Sequence, residues 1–219
     1  MKQKIDIDII FQAALTVFAR FGFKKTTVQD IADQLDMTKG NLYRYSKNKR
    51  DLYEKTVSWG LTRWQNNVRR AIAGESEVTD QFLVMCRSAV TYLSKDPDLR
   101  LVLAADPDIF PMFAGADPYA SINRASVEMI KAILKRGIRQ KRFRSVDVDA
   151  TAETIFGIYK MLIIRGYIRN EKRQIEQMFE QALELMTHGL IAPMGQLKSP
   201  APRTAVGLVK TTRKESKKL

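Results

Sequence analysis

The chain has 219 residues, of which 45% are hydrophobic and 28% are charged, and its formal net charge at pH 7 is +13. This composition is typical of a globular protein and excludes a wholly disordered chain. The sequence pI of about 9.9 favours polyanionic partners, with nucleic acid ahead of an anionic membrane surface. A basic charge that serves only solubility is the alternative interpretation.

A single cysteine, Cys86, excludes an internal disulfide and cannot form a zinc site by itself. The N-terminal residues lack the pattern of a signal peptide, so a reduced, cytoplasmic protein is expected. No stretch approaches the ~20 apolar residues of a membrane span, because Lys160 and Arg165 interrupt the longest candidate, residues 158–168. We therefore expect no membrane partner, no metal and no cofactor.

Apolar residues recur at helical spacing along almost the whole chain, which predicts an all-α fold. The first helical face consists of Ile10, Ala14, Val17, Phe18 and Phe21. Gly22 is expected to end this helix. The alternating residues 5–9 lead directly into the helical pattern, so they are interpreted as the start of the helix and not as a strand.

Two short helices are predicted next. Thr27 and Asp30 have the spacing of a capping box with an acidic third position, and they begin the first of these helices. Asp36 and Met37 form a tight break. Thr38 can then cap a second short helix.

A longer helix, capped by Asn48 and running to about Ala73, is predicted to follow. Further helices are expected at about residues 79–94, 97–105, 119–140, 148–167 and 171–190. Prolines at 107, 111 and 118 predict a loop. Residues 192–219 have seven basic residues and one acidic residue with few large apolar side chains, so we expect a basic, disordered tail.

The two short helices, with the first helix packed over them, predict a helix-turn-helix. The second short helix would enter the major groove of DNA. Its outer face presents hydrogen-bond donors for base edges or phosphates: Thr38, Lys39, Asn41 and Arg44. Gly40 would let the backbone approach DNA closely. Lys49, at the start of the next helix, could bind a phosphate together with the helix N-terminus.

Residues 9–56 resemble the TetR family of bacterial repressors. The family pattern is an apolar helix ending in F-x-x-x-G-[FY], then T-T-[VI]-x-x-I-A, a turn, [ST]-x-G-x-[LI]-Y-x-[YH], and a lysine that opens a long helix. The matching residues are Phe18, Gly22, Phe23, Thr26, Thr27, Val28, Ile31, Ala32, Thr38, Gly40, Leu42, Tyr43, Tyr45 and Lys49.

The resemblance implies phosphate contacts for Thr27, Thr38, Tyr43 and Lys49. It leaves base recognition to Lys39, Asn41 and Arg44, and Tyr45 is interpreted as a core aromatic residue. Two positions depart from the family pattern. Asp36 replaces a glycine in the turn, where aspartate tolerates the left-handed backbone better than most residues. Ser46 replaces a phenylalanine and removes a packing group between the recognition helix and the next helix.

The resemblance also implies a larger helical domain that binds a ligand and forms a dimer. The predicted division is residues 1–48 for DNA binding, 49–191 for ligand binding and dimerisation, and 192–219 for the tail. Candidate ligand-pocket residues are Trp64, Met85, Cys86, Tyr92, Phe110, Met112, Phe113 and Met129. Candidate dimer-interface residues are Phe156, Tyr159, Ile163, Tyr167, Met178 and Leu185. For both sets, ordinary core packing is the alternative.

The predicted function is a sequence-specific transcriptional regulator, a repressor that a small-molecule ligand releases from double-stranded operator DNA. A constitutive DNA-binding protein without a ligand is the alternative. An enzyme is not expected, because the sequence has no nucleophile elbow, phosphate loop or metal-spaced cluster. The only histidine, His188, lies near a helix C-terminus, where its interaction with the helix dipole is sufficient explanation.

Overall fold

The structure, a computed structural model, describes residues 6–106, 109, 117–165 and 172–191. The helices in these ranges are α1 (Ile7–Lys25), α2 (Val28–Gln34), α3 (Lys39–Leu42), α4 (Lys49–Ala73), α5 (Val78–Lys95), α6 (Pro97–Ala105), α7 (Ala120–Arg139), α8 (Val148–Ile163) and α9 (Lys172–Leu190). The described part of the chain has no strand beyond an isolated bridge between Phe143 and Ile191. The predicted all-α fold is confirmed, with helix bounds within a few residues of those expected.

Gly22 interrupts α1 as the sequence predicts. Its φ of 74° is in the region that glycine adopts without steric cost, and the last residues of α1 continue beyond this kink. The Gly22 carbonyl accepts hydrogen bonds from the backbone N–H (3.2 Å) and the hydroxyl (2.8 Å) of Thr26. The buried Thr26 side chain thereby fixes the direction in which the chain enters α2.

The predicted caps and turn of the helix-turn-helix are present. Thr27 Oγ1 accepts from the Asp30 N–H, and Asp30 Oδ2 accepts from the Thr27 N–H, which completes the capping box. Asp36 has a φ of 50°, the left-handed conformation expected for its position in the turn. Thr38 caps α3 through the Asn41 N–H, and Asn48 caps α4 through the Asp51 N–H.

The first three helices share an apolar core with the N-terminal part of α4, in which α1 packs against α4, α2 against α1, and α3 against α2. Leu42 of α3 and Leu52 of α4 are fully buried there. Tyr53 of α4 contacts Phe18 and Phe23, with ring centroids 5.0 and 4.9 Å apart. Helix α1 also packs against α6. The N-terminal unit, which consists of α1, α2 and α3, therefore contacts two helices of the larger part of the molecule, α4 and α6.

The larger part is built from α4 to α9, in which α5 packs against α4, α6 and α7, and α8 packs against α7 and α9. The 25-residue α4 is shared between this part and the N-terminal unit. The proposed division at residues 48 and 49 therefore falls at the first turn of a helix that belongs to both. No helix of the described residues is long and apolar enough to cross a membrane.

The predicted proline-rich loop lies mostly outside the described residues, and the predicted tail, residues 192–219, lies wholly outside them. The described residues show how the helices on either side of the loop, α6 and α7, begin. Asp96 caps α6, with Pro97 at its first position, and Asp117 Oδ2 accepts from Asn123 Nδ2 at the start of α7.

Replacing Thr56 of α4 by valine is expected to stabilise the protein. Thr56 is fully buried, and its hydroxyl has no hydrogen-bond partner among the described residues. Valine has nearly the same shape without the unsatisfied polar group, so Thr56→Val should raise the free energy of unfolding by about 1–2 kcal/mol. The midpoint of urea unfolding measures this, at an unchanged slope.

Thr91→Val is the control for that substitution. Thr91 is exposed, and its hydroxyl donates to the Arg87 carbonyl at 2.8 Å. Its replacement should change the unfolding free energy by less than about 0.5 kcal/mol. A Thr56→Val protein no more stable than the wild type would contradict the account of an unsatisfied hydroxyl.

Candidate nucleic-acid interface and ligand cavity

Helix α3 separates its residues into a buried and an exposed face. Leu42 is fully buried and anchors the helix, whereas Thr38, Lys39, Gly40, Tyr43 and Arg44 are exposed and Asn41 is half-buried. A Cβ placed on Gly40 would meet no atom within 4 Å, so the surface is open there. The structure thus brings the predicted contact residues of α3 together on one solvent-facing surface.

The two tyrosines at the end of α3 have different environments. Tyr43 is 42% exposed, and Lys39 Nζ lies 5.9 Å from the centroid of its ring. Tyr45 packs partly buried against the core, and its carbonyl accepts a hydrogen bond from Lys55 Nζ at 3.1 Å. Tyr43 is therefore available to a DNA backbone, and Tyr45 fixes α3 to α4.

Thr27 extends the exposed surface to the start of α2. Its hydroxyl oxygen accepts from the Asp30 N–H at 3.2 Å, which leaves the hydroxyl hydrogen available to a phosphate oxygen. The reciprocal bonds from Thr27 lower the pKa of the exposed Asp30 carboxyl. This acidic side chain therefore remains ionised and favourable at the positive end of α2.

Lys49 has a different environment from the one that the sequence suggests. Its Nζ donates to the carbonyl oxygens of Phe23 (2.9 Å), Lys24 (3.3 Å) and Thr26 (3.0 Å), and it lies 4.6 Å from the centroid of the Phe23 ring. An ammonium group has three hydrogens, and all three are engaged. In the protein without DNA, Lys49 therefore caps the C-terminal end of α1, and its expected phosphate contact would require these bonds to break.

Ser46 lies between α3 and α4, where the family pattern has phenylalanine. It is only 4% exposed, and its hydroxyl has no hydrogen-bond partner among the described residues. The neighbouring side chains have therefore closed over the position, so the smaller residue leaves a buried polar group instead of an open gap. The missing ring does not prevent α3 from docking.

A cavity with a volume of about 90 Å³ lies between α4, α5, α7, α8 and α9. None of the described residues that line it is charged. Its walls comprise Leu61, Trp64, Gln65, Val68, Met85, Cys86, Ala89, Ile122, Asn123, Ser126, Met129, Ile130, Ile155, Phe156, Ile158, Tyr159, Leu162, Phe179 and Met186. Burial raises the pKa of the Cys86 thiol to about 12, so this side chain is a neutral part of the wall.

Hydrogen bonds fix the polar groups of the cavity wall. Gln65 Nε2 donates to the Ile122 carbonyl at 3.0 Å and to Ser126 Oγ at 2.9 Å, which joins α4 to α7. Trp64 Nε1 and the Tyr159 hydroxyl both donate to the Ala89 carbonyl, at 2.9 and 3.2 Å. These bonds orient the two rings, whose centroids are 5.8 Å apart, along the cavity.

Of the predicted pocket residues, Trp64, Met85, Cys86 and Met129 line the cavity. Tyr92 stands behind the wall, with its ring stacked on that of Trp64 at 6.2 Å. Phe110, Met112 and Phe113 lie outside the described residues. The prediction missed the α8 and α9 side of the cavity, because those apolar faces were assigned to a dimer interface. It also missed Gln65. The only sign in the sequence that Gln65 lines the cavity is its position next to Trp64.

The apolar face of α8 packs inward. Phe156 and Tyr159 line the cavity, and Ile163 is 1% exposed. Phe156 and Ile163 are therefore buried within the protomer and Tyr159 is half-buried, and a part for these three residues in a dimer interface stays a prediction. On α9, Met178 is half-buried, whereas Leu185 is 73% exposed and free to meet a second subunit. Tyr167 lies outside the described residues.

A polar network joins α1 to the helices near the cavity. Arg63 of α4 donates through Nη1 to Gln12 Oε1 at 2.6 Å and forms an ion pair with the buried Asp96, the cap of α6. The Thr16 hydroxyl of α1 donates to Asp98 Oδ2 at 2.7 Å. These bonds thus join α1 to α4, which also lines the cavity, and to the start of α6.

Comparison with known proteins identifies this arrangement. Residues 10–56 match the model of the tetR family of bacterial regulatory proteins. The HTH-type transcriptional repressor KstR2 of Mycolicibacterium smegmatis is 27% identical over 198 residues, which cover 86% of this chain and 92% of that repressor. The N-terminal unit is therefore a DNA-binding domain of the tetR type, and the chain as a whole is similar to an HTH-type transcriptional repressor.

Solved structures of this family share its fold. FadR from Bacillus subtilis, solved in complex with stearoyl-CoA, has a TM-score of 0.70 at 20% identity and covers 84% of this chain and 99% of its own. A TetR transcription regulator from Haloarcula marismortui has a TM-score of 0.73 at 18% identity and covers 84% and 97% of the two chains. The TetR fold therefore extends well beyond the matched helix-turn-helix.

Replacing Lys49 by alanine is expected to destabilise this regulator in the absence of DNA. Three hydrogen bonds from a charged donor and a contact with the Phe23 ring would be lost. The free energy of unfolding should fall by about 2 kcal/mol. Lys47→Ala removes an exposed positive charge near the same helix end and should change that free energy by less than about 0.5 kcal/mol.

Salt dependence separates this capping role from a phosphate contact. A lysine that neutralises a phosphate contributes about one unit to the slope of log affinity against log salt concentration. Lys49→Ala should leave the slope for duplex DNA unchanged. An unaltered unfolding free energy with a slope reduced by about one unit would show that Lys49 binds phosphate instead.

Proposed function

We propose that this regulator is a homodimeric repressor that binds operator DNA through α2 and α3 and is released when a small molecule occupies the cavity. One observation carries the proposal. Helix α4 runs without interruption from Lys49, beside the DNA-binding unit, to residues Trp64, Gln65 and Val68 in the cavity wall. A change at the cavity therefore reaches the helix-turn-helix through a single stiff element.

On this proposal, the exposed side chains of the helix-turn-helix divide into two groups. Lys39, Asn41 and Arg44 read base edges in the major groove, where arginine and lysine favour guanine and asparagine favours adenine. Thr27, Thr38 and Tyr43 donate hydrogen bonds to phosphates and fix the pose of α3. Two copies of α3 in a dimer would lie about 34–36 Å apart, one turn of DNA.

The cavity favours an apolar ligand, because its walls are uncharged and most of its side chains are aliphatic or aromatic. Its volume of about 90 Å³ is smaller than the roughly 300–1,000 Å³ typical of pockets for organic ligands. An apolar ligand of ordinary size would thus have to push the surrounding helices apart. The conformation that binds ligand then differs from the one described here, and ligand binding shifts the population toward it.

The relatives support such a ligand class. The similar FadR of Bacillus subtilis was solved with stearoyl-CoA, a molecule with a long apolar chain. A constitutive DNA-binding protein, the alternative that the sequence left open, would have no use for an apolar cavity beside the helix that supports its recognition element. We therefore favour the ligand-controlled repressor and propose no catalytic activity.

The DNA-contact roles are tested by fluorescence anisotropy on duplexes tiled across the region upstream of the regulator's own gene, with excess non-specific DNA. Arg44→Ala should lower affinity for the preferred inverted repeat by about 1–3 kcal/mol and leave non-specific affinity nearly unchanged. Tyr43→Phe should weaken binding to all duplexes alike. Equal losses on both kinds of duplex for both variants would contradict the assignment.

The link between the cavity and α1 is tested by the double variant Gln12→Ala/Thr16→Ala. It removes both polar contacts from α1 to Arg63 and Asp98 while leaving the ion pair of Arg63 with Asp96 intact. The factor by which a bound ligand lowers operator affinity should shrink by about threefold or more. The measurement is operator affinity with and without a ligand found by its effect on the melting temperature.

Gln29→Ala is the matched control, because Gln29 makes an exposed hydrogen bond to Asp33 within α2 only. It should leave the ligand effect unchanged. A double variant whose ligand response equals that of the wild type would show that the coupling does not pass through the contacts of α1 with Arg63 and Asp98.

A further inference from the structure

Gln65 of α4 is a buried amide in the largely apolar wall of the cavity. It is 8% exposed, whereas the other amide and aliphatic hydroxyl side chains described in the wall, those of Asn123 and Ser126, are half-buried. Burial of an amide costs free energy for every donor or acceptor that finds no partner. The hydrogen bonds of Gln65 therefore decide whether the whole of its carboxamide serves the packing of α4 against α7.

These hydrogen bonds use the nitrogen of Gln65 and leave its oxygen. The two hydrogens of Nε2 are directed to the Ile122 carbonyl, at 3.0 Å, and to Ser126 Oγ, at 2.9 Å. Turning the carboxamide over would place its oxygen against the Ile122 carbonyl oxygen, so its orientation is fixed. Oε1 accepts no hydrogen bond from the described residues.

The free oxygen of Gln65 is also accessible. Gln81 Oε1 likewise has no partner, but protein atoms cover it completely, and this is not so for Gln65 Oε1. Because Gln65 lines the cavity, its carboxamide presents an acceptor there and no donor. The group that best fits this position on a ligand is a hydrogen-bond donor.

The donors of the wall are mostly engaged within the protein. Each of the other nitrogen and hydroxyl donors makes a hydrogen bond to a protein acceptor: Trp64 and Tyr159 to the Ala89 carbonyl, Ser126 to the Ile122 carbonyl, and Asn123, with one of its two amide hydrogens, to Asp117. A ligand carbonyl would have to compete for nearly all of these donors. A ligand hydroxyl can donate to Gln65 Oε1 without breaking any of these bonds.

The charge of the wall restricts the ligand further. None of the described residues that line the cavity is charged. A carboxylate placed there would lose its hydration and gain no counter-charge from the wall, which is unfavourable. The wall therefore favours a ligand that is neutral and whose polar group is a donor.

We propose that the cavity binds an uncharged apolar alcohol whose hydroxyl group donates to Gln65 Oε1. The inference rests on the proposed function in one respect, that the cavity is the ligand site. A site built to pair with a hydroxyl group rejects an analogue that lacks it, because a buried polar group of the site is then left without a partner. Gln65 thus determines which apolar molecules the cavity accepts.

The test compares cyclohexanol with cyclohexanone, which has the same ring but an oxygen that only accepts. A single ring also requires little displacement of the helices around a cavity of about 90 Å³. Isothermal titration calorimetry without DNA measures both dissociation constants. The wild type should bind cyclohexanol about tenfold or more tightly than cyclohexanone. Cyclohexanecarboxylate should bind more weakly than either.

Gln65→Met removes the acceptor and keeps most of the side-chain volume, so it should bring the alcohol and the ketone to within about threefold of each other. Gln81→Met makes the same change outside the cavity, where Gln81 Nε2 donates to the Glu75 carbonyl at 2.7 Å, and should keep the preference. Ala89→Trp, which fills the cavity, should abolish binding of both compounds and thereby locate the site.

Equal affinities of the wild type for cyclohexanol and cyclohexanone would overturn the inference and leave the cavity as the proposed ligand site. A preference for the alcohol that persists in Gln65→Met, or tighter binding of the carboxylate, would also overturn it. A preference that depends on Gln65 but is accompanied by no change in operator affinity would support the alcohol site and contradict the proposed release from DNA.

Discussion

The continuity of α4 is the constraint on which both functional regions depend. At its N-terminus the helix is attached to the DNA-binding unit by the bonds of Lys49 to the end of α1 and by Tyr53 packed against two phenylalanines. Further along, Trp64 and Gln65 form part of the cavity wall. A shift of α4 at the cavity would therefore act on α1, which packs against α4, and on the end of α3, where Lys55 donates to the Tyr45 carbonyl.

The packing near this junction is not optimised for stability. Ser46 and Thr56 bury hydroxyl groups that have no partner among the described residues, and the buried Asp96 depends on Arg63 for its counter-charge. Each unsatisfied group costs free energy in the conformation described here. Such costs reduce the free-energy difference between this conformation and other arrangements of α1 and α4. A small difference suits a protein that must change between two conformations.

The helix-turn-helix could be predicted from the sequence because its determinants are local. Each determinant is a cap or a turn residue whose partners lie within four residues in the sequence. The structure has every one in the predicted role: the capping box of Thr27 and Asp30, the turn at Asp36, and the caps Thr38 and Asn48. Residue spacing alone therefore carries enough information to identify the turn and the recognition helix.

The cavity and the role of Lys49 could not be predicted in the same way, because both depend on contacts between distant segments. Apolar stripes on α8 are equally compatible with a core, a pocket wall or a dimer interface, and only the packing against α7 and α9 assigns Phe156 to the cavity. Lys49 reaches carbonyl groups more than twenty residues earlier in the chain. A lysine at a helix start gives no local sign of such partners.

The most direct test is to fill the cavity with a larger side chain in place of a ligand. Ala89→Trp adds more volume than the cavity of about 90 Å³ holds, whereas Ala73→Trp makes the same change at the exposed end of α4. Operator affinity should fall about tenfold or more for Ala89→Trp and remain at the wild-type value for Ala73→Trp, with both proteins unfolding cooperatively on heating. A folded Ala89→Trp protein that binds operator as tightly as the wild type would contradict the claim that the cavity controls DNA binding through α4.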